Sequence, residues 1–551
     1  MSGAPADRTL PRRLLPAVTV VFLLFAPQFA ALEAPRNRYF LFWGAADTLS
    51  LCLTVLLLAA AGLLAGGFID RRGGPGLRAA RDQAFALLFL LAAAVNFPRL
   101  ARAPFMLAIL HPHRDAAIVV LQSLLALLAG TWLWLLLFRR SLLARAARTA
   151  CLILSPLVPI LMIQTFLFES YAVRQDPIPA AADGTSAAEL SAAGTPIVLI
   201  VFDEWSYERS TADDDFLADL PALRALRAES FFFARAAAPG TTTYISMPRL
   251  LFQTDDYSAL PGVMYSGRDF PGALGLHEEV ITPAAEPGRA PDSLFAAPRR
   301  AGYKAWVLGF YLPYRRILGD QADMVRTFSD YPRGDGFAER LFMNVAQTPQ
   351  YWRLPGISTL WKQAYAGVFS RYWLRLNDRL LADFETLAGR AAPRTFVFLH
   401  YPVPHAPFIY DAGGAYTGPF AIRSRMTEDI DVDVMHGTPA DYRRSLGHLD
   451  RVVARIVARL RATGRYDDAL VIMTSDHAWR NDPALRHETG DARIRHVPLL
   501  VKAPGQRSRR TVEDPVTLNR IAPLLDAAAR GGLDEAGAAR LIEAIARPGA
   551  D

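Results

Sequence analysis

The chain has 551 residues, a formal net charge of +7 at pH 7 and 52% hydrophobic residues. Its mean hydropathy of +0.16 is too high for an ordinary soluble enzyme of this size. The two cysteines, Cys52 and Cys151, both lie in apolar segments, which excludes a disulfide-stapled domain outside a membrane. These features predict a membrane protein with one large extramembrane domain.

Five apolar segments occupy the first third of the chain. Most are close to the roughly 20 residues that a helix needs to cross a bilayer, whereas a signal peptide has one short apolar region before its cleavage site. We therefore predict an integral membrane domain of five helices in residues 1–168. The predicted spans are Leu14–Leu32, Thr48–Ile69, Asp82–Phe97, Ala116–Phe138 and Thr149–Phe168.

Arginines are concentrated in alternate loops of this domain. Because such loops face the cytoplasm, the amino terminus is predicted to be cytoplasmic and everything after Phe168 to lie outside a bacterial-type inner membrane, on the periplasmic side. The positive net charge then reflects topology and lipid headgroups rather than nucleic-acid binding. The clusters are Arg8, Arg12 and Arg13, then Arg71, Arg72, Arg78 and Arg81, and then Arg139, Arg140, Arg145 and Arg148.

The rest of the chain divides by composition. Residues 169–195 are rich in Ala, Pro and Gly and are predicted to be a linker, and residues 531–551 a C-terminal tail. Between them, in 196–530, strand-like runs alternate with helical patterns, which predicts an α/β domain with a mostly parallel central sheet. The strand candidates are 198–202, 231–236, 303–310, 395–401, 469–476 and 496–504.

Two stretches of this domain do not follow the alternation. Residues 253–300, rich in Pro, Gly and Asp, are predicted to be surface loops. Residues 336–390, with several Trp and Tyr, are predicted to form an inserted helical region that covers the site or touches the membrane.

Two apolar runs end in potential metal ligands. Asp203 and Glu204 follow one run, and Asp476 and His477 follow the other. Parallel strands present their carboxyl ends at one edge of a sheet, so these side chains are expected to meet there. Carboxylate and imidazole groups together suit a divalent transition metal. A Thr-rich turn at 239–251 lies between the two runs in sequence.

The order of the segments FDE, GTTTYISMP, LHYPVPHAPF, TSDH and RHVPLL resembles the sulfatase-like branch of the alkaline phosphatase superfamily. With five spans, the chain is most similar to the lipid A phosphoethanolamine transferases and the lipoteichoic acid synthases of that branch. The resemblance implies a nucleophile that also contacts the metal, three further ligands, and two histidines near the phosphoryl group or metal. These are Thr243, then Glu204, Asp476 and His477, and finally His405 and His496.

The resemblance also implies a reaction. A membrane phospholipid would donate its phosphoethanolamine or phosphoglycerol headgroup, through Thr243, to a glycan or lipid acceptor. A Thr hydroxyl is a poor nucleophile at neutral pH unless a metal activates it. One divalent ion is therefore expected, with Zn²⁺ favoured by the imidazole ligand and Mn²⁺ as the alternative.

The chain departs from these transferases in two places. Asp203 stands where they commonly have a small residue and where sulfatases have a second acidic ligand, so it is a further candidate metal contact. Ser246 lies in SMPR, which resembles a shortened sulfatase signature. Sulfatases need a Cys or Ser that is oxidised to an aldehyde, which Thr243 cannot become. A sulfatase-like hydrolase, acting on phosphodiesters or sulfate esters, is therefore the alternative, and a non-catalytic membrane scaffold is the third hypothesis.

Other polar residues can be explained by packing, ion pairing or solvation as well as by a role in the site. His400 fits strand-end packing and the site equally well, and Arg249 fits a phosphate contact or a surface ion pair. His448 and Asp450, two apart on a predicted helix, are expected to be structural, and His487 to be solvated.

Overall fold

The structure of the chain is a computed structural model that divides into two compact units. The helical unit comprises Met1–Ala172, Asp269–His277 and Pro332–Tyr365, and the sheet unit comprises the remainder. The described residues are 10–33, 42–101, 131–132, 139–167, 175–179, 194–255, 260, 264–269, 277–281, 291–329, 331–332, 334, 336–352, 357–391, 393–418, 437–484 and 491–546.

The helical unit contains the apolar helices of the first third of the chain. Among the described residues, three helices are long and apolar enough to cross a membrane, and a pair bent by 43° brings the number to as many as four. They overlap four of the five predicted spans, while 116–138 lies outside the described residues except for 131–132. Five crossings therefore stay a prediction. The helices are Leu10–Glu33, Ala45–Arg72, Pro75–Ala101 and the bent pair Arg140–Leu154 and Leu157–Leu167.

A second part of the helical unit comes from much later in the sequence. Helix Phe337–Gln347 and the 3-10 helix Thr348–Trp352 belong to it, together with the first turns of helix Ile357–Arg390. The expected inserted helical region is therefore helical, and its first part groups with the apolar helices.

The sheet unit is built on one sheet of eight strands. They are β1 Ile197–Phe202, β2 Phe231–Phe233, β3 Lys304–Phe310, β4 Met324–Phe328, β5 Thr395–Tyr401, β6 Leu470–Ser475, β7 Leu499–Lys502 and β8 Arg510–Val512. Their order in the sheet is β8-β2-β7-β6-β1-β5-β3-β4. Only β7 runs antiparallel to its neighbours, β6 and β2, so the predicted mostly parallel sheet is confirmed.

Helices and short strand pairs surround this sheet. The short pairs are Thr211–Ala212 with Asp215–Phe216, Ala236–Ala237 with Val516–Thr517, and Met264–Asp269 with His277–Ile281. The α-helices are Tyr207–Ser210, Pro221–Arg227, Thr243–Phe252, Ala296–Arg300, Tyr314–Leu318, the part of Ile357–Arg390 from Ala366 onward, Pro439–Ala462, Asp491–Arg495, Ala522–Ala529 and Glu535–Ala546, with a 3-10 helix at Leu518–Arg520. The loops expected at 253–300 thus contain a strand pair and a helix, and the tail contains a helix.

The central strands read as continuous apolar runs because both of their faces are covered. All six residues of β1 and all six of β6 are buried. In the register of the parallel strands, Phe202 pairs with Tyr401 of β5 and with Ser475 of β6. The carboxyl ends of these three strands therefore lie level, and the residues at or just after those ends are brought together.

Candidate active site

The two strand-end pairs predicted from the sequence meet at this edge. Asp203, Glu204, Asp476 and His477 are each at most 2% exposed. The Glu204 amide donates to Asp476 Oδ1 at 3.2 Å, and the His477 amide donates to the same oxygen at 2.8 Å. Glu204 has a φ of 63°, a left-handed backbone conformation that non-glycine residues rarely adopt. Such strain is typical of functional sites.

Thr243 is held at the same site by a helix. Helix Thr243–Phe252 begins there after Thr242, whose carbonyl accepts from the Ser246 amide. The turn before this helix packs tightly against it, because a Cβ on Gly240 would lie 2.8 Å from Ile245 Cγ2. As a result Thr243 is 5% exposed, and its Oγ1 lies 3.2 Å from His477 Nε2.

The tautomer of His477 follows from its contacts. Its Nδ1 lies 2.9 Å from the carbonyl oxygen of Ala478, so Nδ1 carries the donated proton and Nε2 keeps its lone pair. Burial lowers the pKa of this imidazole, which favours the neutral form. Nε2 then lies 3.3 Å from Asp476 Oδ2 and 3.8 Å from Asp203 Oδ1. Three acceptors this close repel one another unless a cation lies among them.

His400 also belongs to this cluster. The register pairs it with Val201, one residue before the end of β1. Its Nδ1 lies 2.7 Å from the Tyr314 hydroxyl, and its buried Nε2 has no hydrogen bond within the described part of the chain. His400, Asp203 and Asp476 each offer one potential ligand atom, and these three atoms lie within 4.8 Å of one another. Burial lowers the pKa of His400 to about 4, so the imidazole is neutral and able to bind a metal.

A divalent cation therefore fits this cluster. Asp203 and Asp476 bring two buried carboxylates together beside Glu204, which pairs with Arg480, and uncompensated buried charge is costly. Asp476 Oδ2 is buried 3.3 Å from His477 Nε2, and the Thr243 hydroxyl also interacts with this carboxylate. Carboxylate oxygens with imidazole nitrogen suit several divalent transition metals, so the donor set agrees with the expected cofactor without fixing which ion it is.

The sequence resemblance and the geometry propose different ligand sets. Both contain Asp476, and Asp203 is the additional contact already expected. The geometric group adds His400 and lacks Glu204 and His477. Glu204 Oε1 accepts from Arg480 Nε at 3.1 Å, while His477 Nε2 lies 3.3 Å from Asp476 Oδ2. Burial acts to raise the pKa of Glu204, but the charges of His405 and Arg480 outweigh it and lower the pKa overall. Because Arg480 already compensates Glu204, we favour Asp203, His400 and Asp476 as the core of the metal site.

The remaining predicted residues have varied surroundings. His405 follows β5 and lies close enough to lower the pKa of Glu204. The ring of His496 stacks on Tyr207 with 4.2 Å between centroids, and its Nε2 lies 2.9 Å from the Ala234 carbonyl oxygen. These contacts give His496 a structural explanation. The role of either histidine at a phosphoryl group stays a prediction.

Three further polar residues named from the sequence also have contacts. Ser246, one helical turn after Thr243, is fully buried, and its hydroxyl donates to the backbone carbonyl of Asp476. Arg249 Nη1 donates to the Pro239 carbonyl at 2.8 Å, which braces the turn before the helix. His448 stacks on Tyr410 with 3.7 Å between centroids.

Two residues of the cluster were not predicted from the sequence. Arg480 lies four residues after Asp476, and a basic residue so close to a strand-end ligand pair was an available signal. Nothing in the sequence pointed to Tyr314, because it reaches His400 only when β3, which precedes it, pairs with β5. A Cβ on Gly309, within β3, would lie 2.3 Å from Tyr314 Cε2, so glycine is needed there for the ring to reach His400.

We expect Tyr314→Phe to weaken metal binding without abolishing the fold. Losing the hydroxyl leaves His400 Nδ1 without this partner and the ring less firmly oriented, which should cost about 1–3 kcal/mol of stability and about 10–100-fold in metal affinity. Chelator titration with elemental analysis measures this. The matched control is Tyr303→Phe, since that hydroxyl hydrogen-bonds the carbonyls of Thr195 and Ala528. Equal metal affinity in both variants would remove His400 from the ligand set.

The domain that carries this cluster resembles known proteins. Residues 196–530, more than half of the chain, match the family described as Sulfatase. Among solved structures, it is similar to the phosphonate monoester hydrolase of Agrobacterium radiobacter, at 18% identity and a TM-score of 0.38 over 62% of this chain and 74% of that chain. A 2-O GAG sulfatase gives 12% identity and a TM-score of 0.39 over 63% and 72%. No curated protein matches.

Proposed function

The chain belongs to the sulfatase family, and we propose that it is a membrane-anchored, metal-dependent transferase that moves a phospholipid headgroup to a glycan or lipid acceptor. The observation that carries this proposal is the position of Thr243, buried at a helix start with its hydroxyl 3.2 Å from His477 Nε2. A threonine at the nucleophile position suits phosphoryl transfer and cannot form the aldehyde of a sulfatase.

The proposed reaction has two steps. Thr243 Oγ1 attacks the phosphorus of the donor lipid, the bond from phosphorus to the glycerol oxygen breaks, and diacylglycerol leaves with a proton. The Thr243 proton passes to an acceptor, and His477 Nε2 is within reach of it. An acceptor hydroxyl then attacks the same phosphorus, which restores the Thr243 hydroxyl. Splitting the transfer in this way replaces one difficult step by two easier ones.

The chain's own residues prepare these steps. Asp203, His400 and Asp476 would hold the divalent ion, with Glu204 and His477 beside them. When bound, such an ion activates a hydroxyl and offsets charge on the transferring phosphate. The amino-terminal end of helix Thr243–Phe252 adds partial positive charge where a phosphate would bind. Burial of the site excludes competing water.

A lipid donor is supported by the apolar helices. Within the described ranges, three or up to four of them are long and apolar enough to span a membrane, and a protein with such helices works beside a supply of phospholipid. The arginine-rich loops favour the inner membrane with the catalytic domain on the periplasmic side. Glycans and lipids of the cell envelope are the acceptors available there.

Hydrolysis is the second candidate, and the family match is the observation that favours it. Water would then take the place of the acceptor in the second step. A sulfatase mechanism through Ser246 is less compatible with the site, because that hydroxyl is buried and bonded to the Asp476 carbonyl.

Intact-mass analysis of the full chain tests the proposal. After incubation with phosphatidylethanolamine or phosphatidylglycerol, we expect a headgroup phosphate adduct on Thr243 and release of diacylglycerol. The adduct mass identifies the headgroup. Release of free phosphoryl headgroup without transfer to any added acceptor would support the hydrolase. Turnover of a sulfate ester with no adduct on Thr243 would overturn the transferase.

A further inference from the structure

We infer that helix Phe337–Gln347 lies in the lipid at a membrane boundary and presents one apolar face to acyl chains. This helix comes from within the sequence of the sulfatase domain but belongs to the helical unit. The inference concerns where this segment sits and does not depend on which reaction the site performs.

The outward face of the helix has no polar residue. Helical spacing places Phe337, Leu341 and Val345 on one stripe and Ala338 and Phe342 beside it. Phe337 and Phe342 are 59% and 58% exposed, and Val345 is 39% exposed. Single exposed apolar residues are ordinary in water, but a helix face made only of them is not.

The inward face combines Met343 and Ala346 with hydrogen-bonded polar side chains, and the polar contacts continue into Thr348, directly after the helix. The Asn344 side chain is buried and donates to Ser50 Oγ and Thr54 Oγ1, both at 3.0 Å, on the apolar helix Ala45–Arg72. The Thr348 hydroxyl donates to Gln28 Oε1 at 2.7 Å, on helix Leu10–Glu33. A helix with hydrogen-bonded polar groups inside and apolar groups outside is arranged for lipid, because in lipid every polar group needs an internal partner.

The position along the apolar helices puts this segment near a membrane boundary. Its partners lie toward the end of the first helix and the start of the second, remote from Arg71 and Arg72. Trp352 and Trp361 donate their indole N–H groups to the carbonyls of Leu24 and Ala346. Tryptophan is enriched at such boundaries.

Lipid is favoured over a protein partner as the occupant of this face. The helix to which Asn344 is bonded, Ala45–Arg72, is apolar on its exposed side too, and Leu49, the residue before Ser50, is 52% exposed. That helix is itself long and apolar enough to span the bilayer. A protein partner would have to cover the face of the inserted helix and leave the adjoining leucines to lipid.

Electron paramagnetic resonance of the full chain in phosphatidylcholine vesicles tests the inference. A nitroxide is attached to a cysteine at Phe342→Cys or Val345→Cys, and its collisions with O₂ and with a water-soluble nickel chelate are compared. Leu57→Cys, on an exposed face of a predicted span, provides the lipid reference, and Ala536→Cys, on the exposed side of helix Glu535–Ala546, provides the aqueous one. The unsubstituted chain measures background from Cys52 and Cys151.

We expect the O₂-to-nickel ratio at both test positions to be several-fold above that at Ala536→Cys and to approach that at Leu57→Cys. An aqueous ratio at both positions would overturn the inference. Spin–spin broadening that disappears on dilution with unlabelled protein would also overturn it, by identifying a second copy as the occupant. Two positions are used so that misfolding of one variant does not decide the result.

Discussion

Thr243→Ala is expected to abolish turnover while metal content and fold stay near those of the wild type. If Thr243 Oγ1 forms the bond to phosphorus, the substitution deletes a reacting atom, so the rate should fall by several orders of magnitude. A threonine with a merely structural hydroxyl would instead cost about 1 kcal/mol of stability, and activity would recover at lower temperature. Turnover of a phospholipid with a fluorescent headgroup measures the difference.

Two further variants sharpen this test. Thr243→Ser keeps a hydroxyl and should retain part of the activity together with the covalent adduct. Thr241→Ala, in the same turn but outside the site, should behave as the wild type. Near-normal turnover in Thr243→Ala would refute the assignment and direct attention to Ser246, whose variant should then be inactive.

The sheet and most of the cluster were predictable because their signals are local. Continuous apolar runs such as 198–202 and 469–476 mark strands buried on both faces, and the polar residues that follow them mark the strand ends. The rule that parallel strands present their carboxyl ends at one edge then brings Asp203 and Asp476 together. The register of β1 with β5 and β6 agrees with that expectation.

The missing parts depend on contacts far apart in sequence. The sequence left His400 open between strand-end packing and the site, because its position there follows from the register with Val201 and from Tyr314, neither of which a single sequence displays. The pairing of Arg480 with Glu204 is likewise a tertiary contact. The antiparallel direction of β7 was also unpredictable, because an apolar run has the same composition in either direction.

Asp476→Asn is expected to remove the metal and with it the activity. The variant keeps an oxygen where Oδ1 accepts from the amides of Glu204 and His477, so the local backbone should hold. It loses the negative charge at Oδ2, beside His477 Nε2. Elemental analysis should fall from about one ion per chain to a small fraction. Asp450→Asn is the matched control, since that buried carboxylate accepts from the amides of Ala222 and Leu223.

The stability cost of the same variant should depend on metal. With metal, the wild type gains binding free energy that Asp476→Asn lacks, about 4 kcal/mol when free metal is a thousandfold above its Kd. Without metal, burial acts to raise the pKa of Asp476, but its polar neighbours outweigh burial and hold the pKa below its usual value, so the carboxylate also contributes to the metal-free fold. The difference in unfolding temperature between wild type and variant should therefore be larger with metal than with chelator. Thermal unfolding under both conditions measures it. An equal difference in both conditions would mean that Asp476 serves the fold rather than a metal.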